Sequence, residues 1–241
     1  MNGCGVPADC AKAVGWYEKA ASGGNALAQA NLGGLYANGK VVPKDETKAV
    51  EWYQKAAAQG NAVAQFELSV AYAKGRGIPQ DAVRSYQLCE QAAFQGHAVA
   101  QCNLGLIYAN GAGVSKDDVK AVEWLEKAAR EGNAMAQYNL ANMRGTGRGG
   151  LKSDAKAVEW YQKAALQGHA GAQYNLGCSY ASGRGVPKDQ IRAYVWINLA
   201  AENGSPNAAK EAYRMELKMT SDEKAEAAEI AAEISRQISK R

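Results

Sequence analysis

The sequence lacks the features that mark membrane, fibrous and nucleic-acid-binding proteins. It has no apolar run near about 18 residues, the length that a membrane-spanning helix needs, and its mean hydropathy is -0.39. With 5 prolines and 22% charged residues, the composition excludes a fibrous or disordered chain. Basic and acidic residues are interleaved, and a net charge of +4 is too small to indicate a nucleic-acid or anionic-membrane surface. We therefore expect a soluble, folded chain.

Cysteine is also scarce. The 5 cysteines are an odd number, and they show no metal-ligand spacing such as C-x-x-C. They lie at Cys4, Cys10, Cys89, Cys102 and Cys178. We expect small apolar packing residues in a reducing compartment, with no metal and no disulfide framework. The first residues have neither a basic nor an apolar segment, which favours a cytoplasmic location. A signal peptide removed before residue 1 would leave a periplasmic or secreted location open.

A few residue types recur at regular positions along the chain. The sequence contains 26 glycines and 12 tyrosines but only 2 phenylalanines, a bias typical of repeats. Alanine pairs recur every 36 residues at 20–21, 56–57, 92–93, 128–129, 164–165 and 200–201. The same interval separates Leu32, Leu68, Leu104, Leu140 and Leu176, and it separates Trp16, Trp52, Trp124, Trp160 and Trp196, with Leu88 in the remaining position. The pattern predicts an all-α solenoid of 36-residue helix-turn-helix repeats.

Each repeat contains the signals of two helices. Asp45 is a predicted N-cap, and an apolar face with spacings of three and four residues follows it. The equivalent caps are Asp9, Asp81, Asp117, Ser153 and Asp189. After Gly60, Asn61 is predicted to cap a second helix with an inward stripe of Ala64, Leu68 and Tyr72. Its counterparts are Asn25, His97, Asn133, His169 and Ser205. The large rings are predicted to be core.

The end of the chain departs from the repeat. Thr220 and Glu223 form a predicted capping box, and a single apolar stripe follows at Ala227, Ile230, Ile234 and Ile238. The sequence thus predicts a repeat array of about six helix pairs over residues 1–218 and a C-terminal capping helix over 219–241. No such helix precedes the first repeat, so we expect a monomer or weak self-association through an uncapped N-terminal repeat.

The repeat resembles the Sel-one-like repeat family of tetratricopeptide-type solenoids. The resemblance rests on segments such as AQANLGGLYANG at 28–39, KAVEWYQKAALQG at 156–168 and AQYNLGCSYASGRGVPKDQ at 172–190. It implies a right-handed α/α superhelix whose LG-containing helices line the concave face. It also implies an adaptor in bacterial signalling, host interaction or protein quality control rather than an enzyme. The cysteine-rich branch of the family has a Cys where each alanine pair here ends in Ala, so its hydrolase chemistry is not supported.

Three segments imitate catalytic or ligand-binding motifs. Residues 145–150 fit G-x-G-x-x-G, but no strand precedes them, as a nucleotide-binding loop would require. Ser221 and Lys224 fit S-x-x-K without its usual partner motifs, at a predicted helix start. His97 and His169 lie two repeats apart and are predicted to replace the capping Asn. We therefore expect no catalytic residue, no cofactor and no metal.

The LG helices offer a candidate binding face. Projecting the first one at about 100° per residue places Leu27, Ala30, Gly34 and Asn38 outward and Ala28, Leu32, Leu35 and Tyr36 inward. An exposed apolar face favours a partner, although the next repeat would cover it equally well. Aromatic residues follow Ala30 at Phe66, Tyr138 and Tyr174, while the third repeat has Cys102. Because ring size is not required there, these three rings are predicted to anchor a peptide or partner helix.

Polar residues complete the predicted groove. One position at the edge of the groove recurs every 36 residues, at Asn31, Glu67, Asn103, Asn139 and Asn175. These side chains could hydrogen-bond an extended peptide or could join one repeat to the next. Asn142 lies on the outward face, and Arg144 and Arg148 could present charge to an acidic partner. Repeat four, with Arg144 in the Tyr position and four glycines between 145 and 150, is predicted to be the weakest. We expect a protein-interaction scaffold; the alternatives are a self-assembling structural part or a hydrolase of the cysteine-rich branch.

Overall fold

The computed structural model describes residues 7–239, with side chains from 13 to 238. Within that span the chain forms thirteen α-helices and no strand. They are α1 (Pro7–Ser22), α2 (Ala26–Asn38), α3 (Glu46–Ala58), α4 (Ala62–Lys74), α5 (Ala82–Phe94), α6 (Ala98–Asn110), α7 (Asp118–Arg130), α8 (Ala134–Thr146), α9 (Asp154–Ala165), α10 (Ala170–Ser182), α11 (Gln190–Glu202), α12 (Ala208–Glu216) and α13 (Ser221–Ser239). None of the described helices is long and apolar enough to cross a membrane. The all-α repeat architecture is therefore confirmed.

The odd-numbered helices α1 to α11 are here called outer helices, and α3 to α11 begin at the predicted acceptors. The side chains of Asp45, Asp81, Asp117, Ser153 and Asp189 each accept a hydrogen bond from a backbone N–H of the first turn. In the first repeat the N-cap predicted at Asp9 is wrong, because α1 begins at Pro7 and Asp9 lies within its first turn. The even-numbered inner helices α2 to α10 begin at Asn25, Asn61, His97, Asn133 and His169, as predicted. Each inner helix ends at a glycine in the left-handed conformation.

The cap predicted at Ser205 is wrong. The chain first turns through Pro206 and Asn207, and the N–H of Ala208 bonds to the backbone carbonyl of Ser205 rather than to its hydroxyl. Helix α12 therefore begins at Ala208 without a side-chain cap and contains 9 residues, against 13 in each of the five inner helices before it. The sixth helix pair is the shortest.

The chain divides into two compact units, residues 1–116 and 117–241. In unit 1, α3 packs against α2 and α4, and α5 packs against α4 and α6. In unit 2, α9 packs against α8 and α10, and α11 packs against α10, α12 and α13. The core of unit 1 includes Leu32 and Leu68, and that of unit 2 includes Leu176. All five leucines of the 36-residue series are at most 4% exposed, which confirms their predicted place in the core.

The tryptophan series is less uniform than predicted. Trp124 and Trp196 are buried, but Trp16 is 72% exposed, so the core assignment is wrong for Trp16. Trp52 and Trp160 are half-buried. A lysine three residues later lies over the ring in Trp52–Lys55, Trp124–Lys127 and Trp160–Lys163, with its Nζ 4.0–4.2 Å from the ring centroid. These cation–π contacts keep part of each ring shielded on the outer helices.

The C-terminal helix begins at the predicted capping box. The carboxylate of Glu223 accepts from the backbone N–H of Thr220 at 2.8 Å, and the Thr220 hydroxyl accepts from the N–H of Glu223 at 3.3 Å. The predicted stripe faces the core of unit 2, where Ala227 and Ile234 are buried and Ile230 and Ile238 are partly buried. Helix α13 thus packs its apolar stripe against α11.

Candidate binding pockets on the inner helices

The inner helices carry three pockets of the same construction. Each lies between an inner helix, the outer helix that follows and the next inner helix, and each is named here after the residue at one shared position. The Tyr53 pocket (α2, α3, α4) has a volume of about 90 Å³, and the Cys89 pocket (α4, α5, α6) about 270 Å³. The Tyr161 pocket (α8, α9, α10) in unit 2 has about 260 Å³. Their linings correspond position by position at steps of 36 and 72 residues.

The Tyr53 pocket is small and charged. Lys44, Glu46, Glu67 and Arg76 line it together with Tyr53. Burial raises the pKa of Tyr53 to about 12, and it raises the pKa of the half-buried Glu67 carboxyl. The Lys44 ammonium, 2.7 Å from the Glu46 carboxylate, lowers the pKa of Glu46. This pocket holds both signs of charge around one buried phenol.

The Tyr161 pocket is polar. The hydroxyl of Tyr161 donates to Oδ1 of Asn142 at 2.5 Å, and Nδ2 of Asn175 donates to the same oxygen at 3.2 Å. Burial raises the pKa of Tyr161, so the phenol stays a donor at neutral pH. Asp154 and Arg184 add one charge of each sign to the lining. The two asparagines form a hydrogen-bonded group that faces one cavity.

The Cys89 pocket has no charged residue in its lining. Val70, Leu106 and Ile107 contribute apolar surface, and Cys89 is 1% exposed. The Cys89 thiol lies 3.4 Å from the carbonyl oxygen of Ala100, and burial raises its pKa to about 12. Burial also raises the pKa of the Cys102 thiol to about 11. Both thiols therefore stay protonated and pack as small apolar groups, as the sequence predicted.

The predicted aromatic anchors lie against neighbouring helices. The ring of Phe66 stacks on His97 with centroids 4.9 Å apart, and that of Tyr138 stacks on His169 at 4.5 Å. Tyr174 packs against the cluster of Ile197, Ala200, Ala208 and Ala212. All three rings are half-buried. The stacking joins an inner helix to the cap of the next inner helix, which gives Phe66 and Tyr138 a packing role.

The outward orientation predicted for this position is wrong in two repeats. Ala30 is 5% exposed and Cys102 is 2% exposed. The projection assumed that an inner helix buries one arc, but α2 and α4 each pack against the outer helices on both sides. The buried arc is therefore wider. By contrast, Leu27, also predicted to face outward, is 63% exposed.

The pockets bring together some of the predicted polar residues and leave out others. Asn103 lines the Cys89 pocket, and Asn142 and Asn175 line the Tyr161 pocket. The amide of Asn139 donates instead to the carbonyl of Met135 in its own helix, at 2.8 Å. Arg144, which lines none of the three pockets, forms an ion pair with Glu126.

Arg148 is likewise engaged within unit 2, because its guanidinium makes two hydrogen bonds to the carboxylate of Asp118. Both arginines that were expected to present charge to an acidic partner are thus held by internal carboxylates.

The segments that match catalytic or ligand-binding motifs have structural roles in the described part of the chain. Gly145 lies within α8, Gly147 is its left-handed C-cap, and Gly149 has φ +70° beside the backbone carbonyl of Asp118. His97 and His169 act as N-caps, each accepting a backbone N–H on Nδ1 at 3.1 Å. Ser221 begins α13. The described residues contain no group of three or more His, Cys, Asp or Glu that could hold a metal ion.

A ladder of amide pairs, each joining a buried side chain to an exposed one, was missed by the sequence reasoning. Side-chain amides 30 residues apart bond in the pairs Gln59–Gln29, Gln95–Gln65, Gln167–Gln137 and Asn203–Gln173, at 2.6–3.0 Å. Each pair joins the end of an outer helix to the preceding inner helix. The recurrence of Gln at the 36-residue interval was the available signal. Among buried side-chain atoms of the described residues, Oε1 of Gln101 alone has no hydrogen-bond partner.

Comparison with known proteins gives one family. The family model described as Sel1 repeat matches residues 1–25, 26–61, 62–97, 98–133, 134–169 and 170–205. The crystal structure of a Sel1 repeat protein from Oxalobacter formigenes is 33% identical, covers 86% of this chain and 85% of that chain, and has a TM-score of 0.77.

More distant structures show the fold alone. A putative Sel1 repeat protein from Klebsiella pneumoniae is 24% identical over 84% of this chain and 99% of that one, with a TM-score of 0.54. An immunity protein from Pseudomonas aeruginosa is 23% identical over 79% and 73%, with a TM-score of 0.51. A search of curated proteins found no match.

Proposed function

The chain belongs to the Sel1 repeat family, and from that premise we propose that it is a binding scaffold whose inner-helix pockets hold the side chains of an extended peptide segment of a partner protein. Proteins of this family generally act as protein-interaction scaffolds and are generally not enzymes. The finer statement, that the pockets are the binding site, rests on their geometry. It also rests on how their linings differ.

One observation carries the proposal: the repeats share the same core and capping residues, but the side chains that line their pockets differ. The core leucines and the caps recur in successive repeats because the fold needs them. Several pocket positions vary instead, since Glu46, Ala82 and Asp154 occupy one position and Val70, Leu106 and Cys178 another. Variation on a fixed frame is typical of a surface that recognises a sequence, because the fold does not dictate those side chains.

The spacing of the pockets fits a peptide better than a small molecule. Within unit 1, the Tyr53 and Cys89 pockets are one repeat apart and are two adjacent cavities, of about 90 and 270 Å³, with Val70 in the lining of both. A small ligand needs one enclosed pocket, usually larger than about 300 Å³. Small adjacent pockets in series instead suit successive side chains of one peptide. Asn103 and Asn175 line two of the pockets, and their amides offer the donors and acceptors that a peptide backbone would need.

A random-peptide display library tests the proposal. Peptides selected on the wild-type protein would be measured by calorimetry against Leu106→Arg, in the Cys89 pocket, and Asn142→Arg, in the Tyr161 pocket. The matched control is Gln91→Arg, which places the same charge on an exposed position of α5, opposite the pocket-lining residues of that helix. We expect at least one pocket variant to weaken binding tenfold or more, about 1.4 kcal/mol, with the control unchanged. Failure to select any peptide, or equal binding by all variants, would overturn the proposal.

One observation favours a second candidate, self-association. Trp16 is 72% exposed and Leu27 is 63% exposed, and both line an open cavity on α1 and α2. Exposed apolar surface of this kind is often an interface. If a second copy covers it, light scattering will show a mass that rises with concentration in the wild type and stays constant in Trp16→Ser. A concentration-independent monomer mass in both proteins would exclude this candidate.

A further inference from the structure

The Cys89 pocket and the Tyr161 pocket share a frame but differ in chemistry. Five lining positions of the Tyr161 pocket hold Asn142, Asp154, Tyr161, Cys178 and Arg184. The same positions, 72 residues earlier, hold Val70, Ala82, Cys89, Leu106 and Ala112. At four of these positions an apolar or weakly polar side chain replaces one that carries a charge or a strong hydrogen-bonding group. The two pockets therefore select different side chains.

Electrostatics exclude a charged occupant from the Cys89 pocket. Its twelve lining residues include no Asp, Glu, Lys or Arg. A charged side chain that entered would lose part of its hydration and find no counter-charge in the lining, which disfavours its binding. The raised pKa of the Cys89 thiol, about 12, leaves that group uncharged as well. The complementary ligand is neutral.

The size of the pocket favours one large side chain. Its volume is about 270 Å³, whereas an engineered apolar cavity of about 150 Å³ accepts benzene. A phenyl ring or a branched or thioether side chain therefore fits. Val70, Leu106 and Ile107 would contact it through carbon atoms.

The side-chain amide of Asn103 is available to hydrogen-bond the backbone of a ligand in the Cys89 pocket. In the Tyr161 pocket, Asn175 is held by its hydrogen bond to Asn142. In the Cys89 pocket the position of Asn142 is occupied by Val70, which has no polar group, and the half-buried Asn103 makes no side-chain hydrogen bond within the described residues. Its carbonyl and NH₂ are available to a peptide group, which offers one donor and one acceptor.

We propose that the Cys89 pocket binds a single uncharged apolar side chain of the partner, such as Leu, Met or Phe, while Asn103 hydrogen-bonds the adjoining peptide group. This assignment rests on the proposed peptide-binding function and names its main specificity pocket. The Tyr161 pocket, with its amides and its two charges, takes a polar residue instead.

Capped single amino acids test this assignment without knowledge of the partner. The probes are N-acetyl methylamides of Leu, Met, Phe, Ala, Lys and Glu, titrated at millimolar concentration into the full-length ¹⁵N-labelled protein. We expect the Leu, Met and Phe probes to shift the amide resonances of residues 69–73, 82–89 and 103–112. The Ala, Lys and Glu probes should shift them at least threefold less, and residues 142–146 and 175–179 serve as the internal comparison.

Variants taken from the protein's own repeats separate binding from folding. Val70→Asn with Cys89→Tyr places in this pocket the side chains found at 142 and 161, a pair that the fold already accommodates. The shifts caused by the apolar probes should disappear in this variant. Asn103→Ala should weaken all three apolar probes while keeping their order. The control Val99→Asn makes the same chemical change on α6 at a site that is 46% exposed and lines none of the three inner-helix pockets.

Each outcome decides the question. Shifts of equal size from the Lys, Glu and Leu probes, shifts that persist in the double variant, or no shift at all would overturn the assignment. If library peptides require the pockets but tolerate a charged residue at every position, the assignment fails while the proposed function stands. If the apolar probes bind as expected and no library peptide is selected, the pocket assignment stands and the peptide-binding function fails.

Discussion

At the scale of single residues, the cap of α10 makes stability depend on pH. Nδ1 of His169 accepts the N–H of Ala172 at 3.1 Å, so the imidazole must be unprotonated at that atom. Burial lowers the pKa of His169 in the folded protein below its ordinary value. The unfolded chain therefore takes up the proton first, at about pH 6.5. The stabilisation is present above that pH and is lost as the pH falls below it.

The variant His169→Asn supplies the residue that caps α2, α4 and α8. We expect it to remove this acid sensitivity. Urea unfolding from about pH 7.5 to about pH 5 should show that the wild type loses more stability than the variant, by up to roughly 1 kcal/mol, the value of a cap. Equal losses in both proteins would show that His169 does not titrate with folding.

Neighbouring glycines in the loop after α8 differ in what they can tolerate. Gly149 has φ +70°, and a Cβ there would collide with the backbone carbonyl of Asp118. Gly150 has no positive φ, and a Cβ there would meet only the end of the Arg144 side chain, at 3.0 Å. We expect Gly149→Ala to lower the free energy of unfolding by about 2 kcal/mol or more and Gly150→Ala to change it by about 0.5 kcal/mol or less. Chemical denaturation measures both; similar losses would contradict the assigned constraint.

Helix caps could be predicted from the sequence, whereas the orientation of some side chains could not. Caps were predictable because Asp45 or Asn61 acts within three residues of its own position. The orientation of Ala30 was not, because it depends on the two outer helices that pack around α2. The contrast between Val70 and Asn142 is visible in the sequence, but only the fold shows that both line a pocket.

At the scale of elements, repeat four is held differently from its neighbours. Arg144 occupies the position that is Tyr36 in the first repeat and Tyr108 in the third, and it forms an ion pair with Glu126. The two tyrosines make only long hydrogen bonds, of 3.4 Å, to the glutamates at the corresponding positions, Glu18 and Glu90. The side chain of Arg144 is 20% exposed. The local stability of residues 142–152 therefore depends on partly buried ion pairs, which hold the segment, as well as on its glycines, which weaken it.

Hydrogen exchange at two salt concentrations tests this dependence. Exchange of amides 142–152 should be faster than that of 70–80, and it should accelerate modestly between about 0.05 M and about 0.5 M salt, because salt screens partly buried charge pairs only in part. The variant Arg144→Tyr, which supplies the residue of the other repeats, should remove part of the salt response. Protection of 142–152 equal to that of 70–80 at both concentrations would show that repeat four is not the weak point.

The C-terminal helix is expected to act as a cap for unit 2. Ile234 is 7% exposed and lies in the same cluster as Val195 and Trp196 of α11. We expect Ile234→Ala to lower the free energy of unfolding by about 2–3 kcal/mol, while Glu229→Ala, at an exposed position of the same helix, has little effect. Removal of residues 220–241 should lower the melting temperature and increase aggregation. A monodisperse truncated protein with unchanged melting would contradict the capping role.

At the scale of the whole molecule, the described contacts connect helices that are near neighbours in the chain. The 36-residue period predicted this arrangement, since each repeat can bury its apolar faces only against adjacent repeats. The period could not predict the division at residue 116. The core leucines at 104 and 140 lie on either side of it and continue the same pattern. Stability in such a chain is a sum of local terms, so damage should stay close to its origin.

A matched pair of cavity variants tests how local the stability is. Leu68, in unit 1, is 4% exposed, and Leu176, in unit 2, is 0% exposed. Truncating either to Ala should cost about 3 kcal/mol at its own site. Because contacts run between neighbouring helices, Leu176→Ala should accelerate amide exchange in α9 to α11 and leave α3 to α5 close to wild type, and Leu68→Ala should do the reverse. If each variant accelerates exchange equally in both units, the chain unfolds as one cooperative body, and the local account of its stability is wrong.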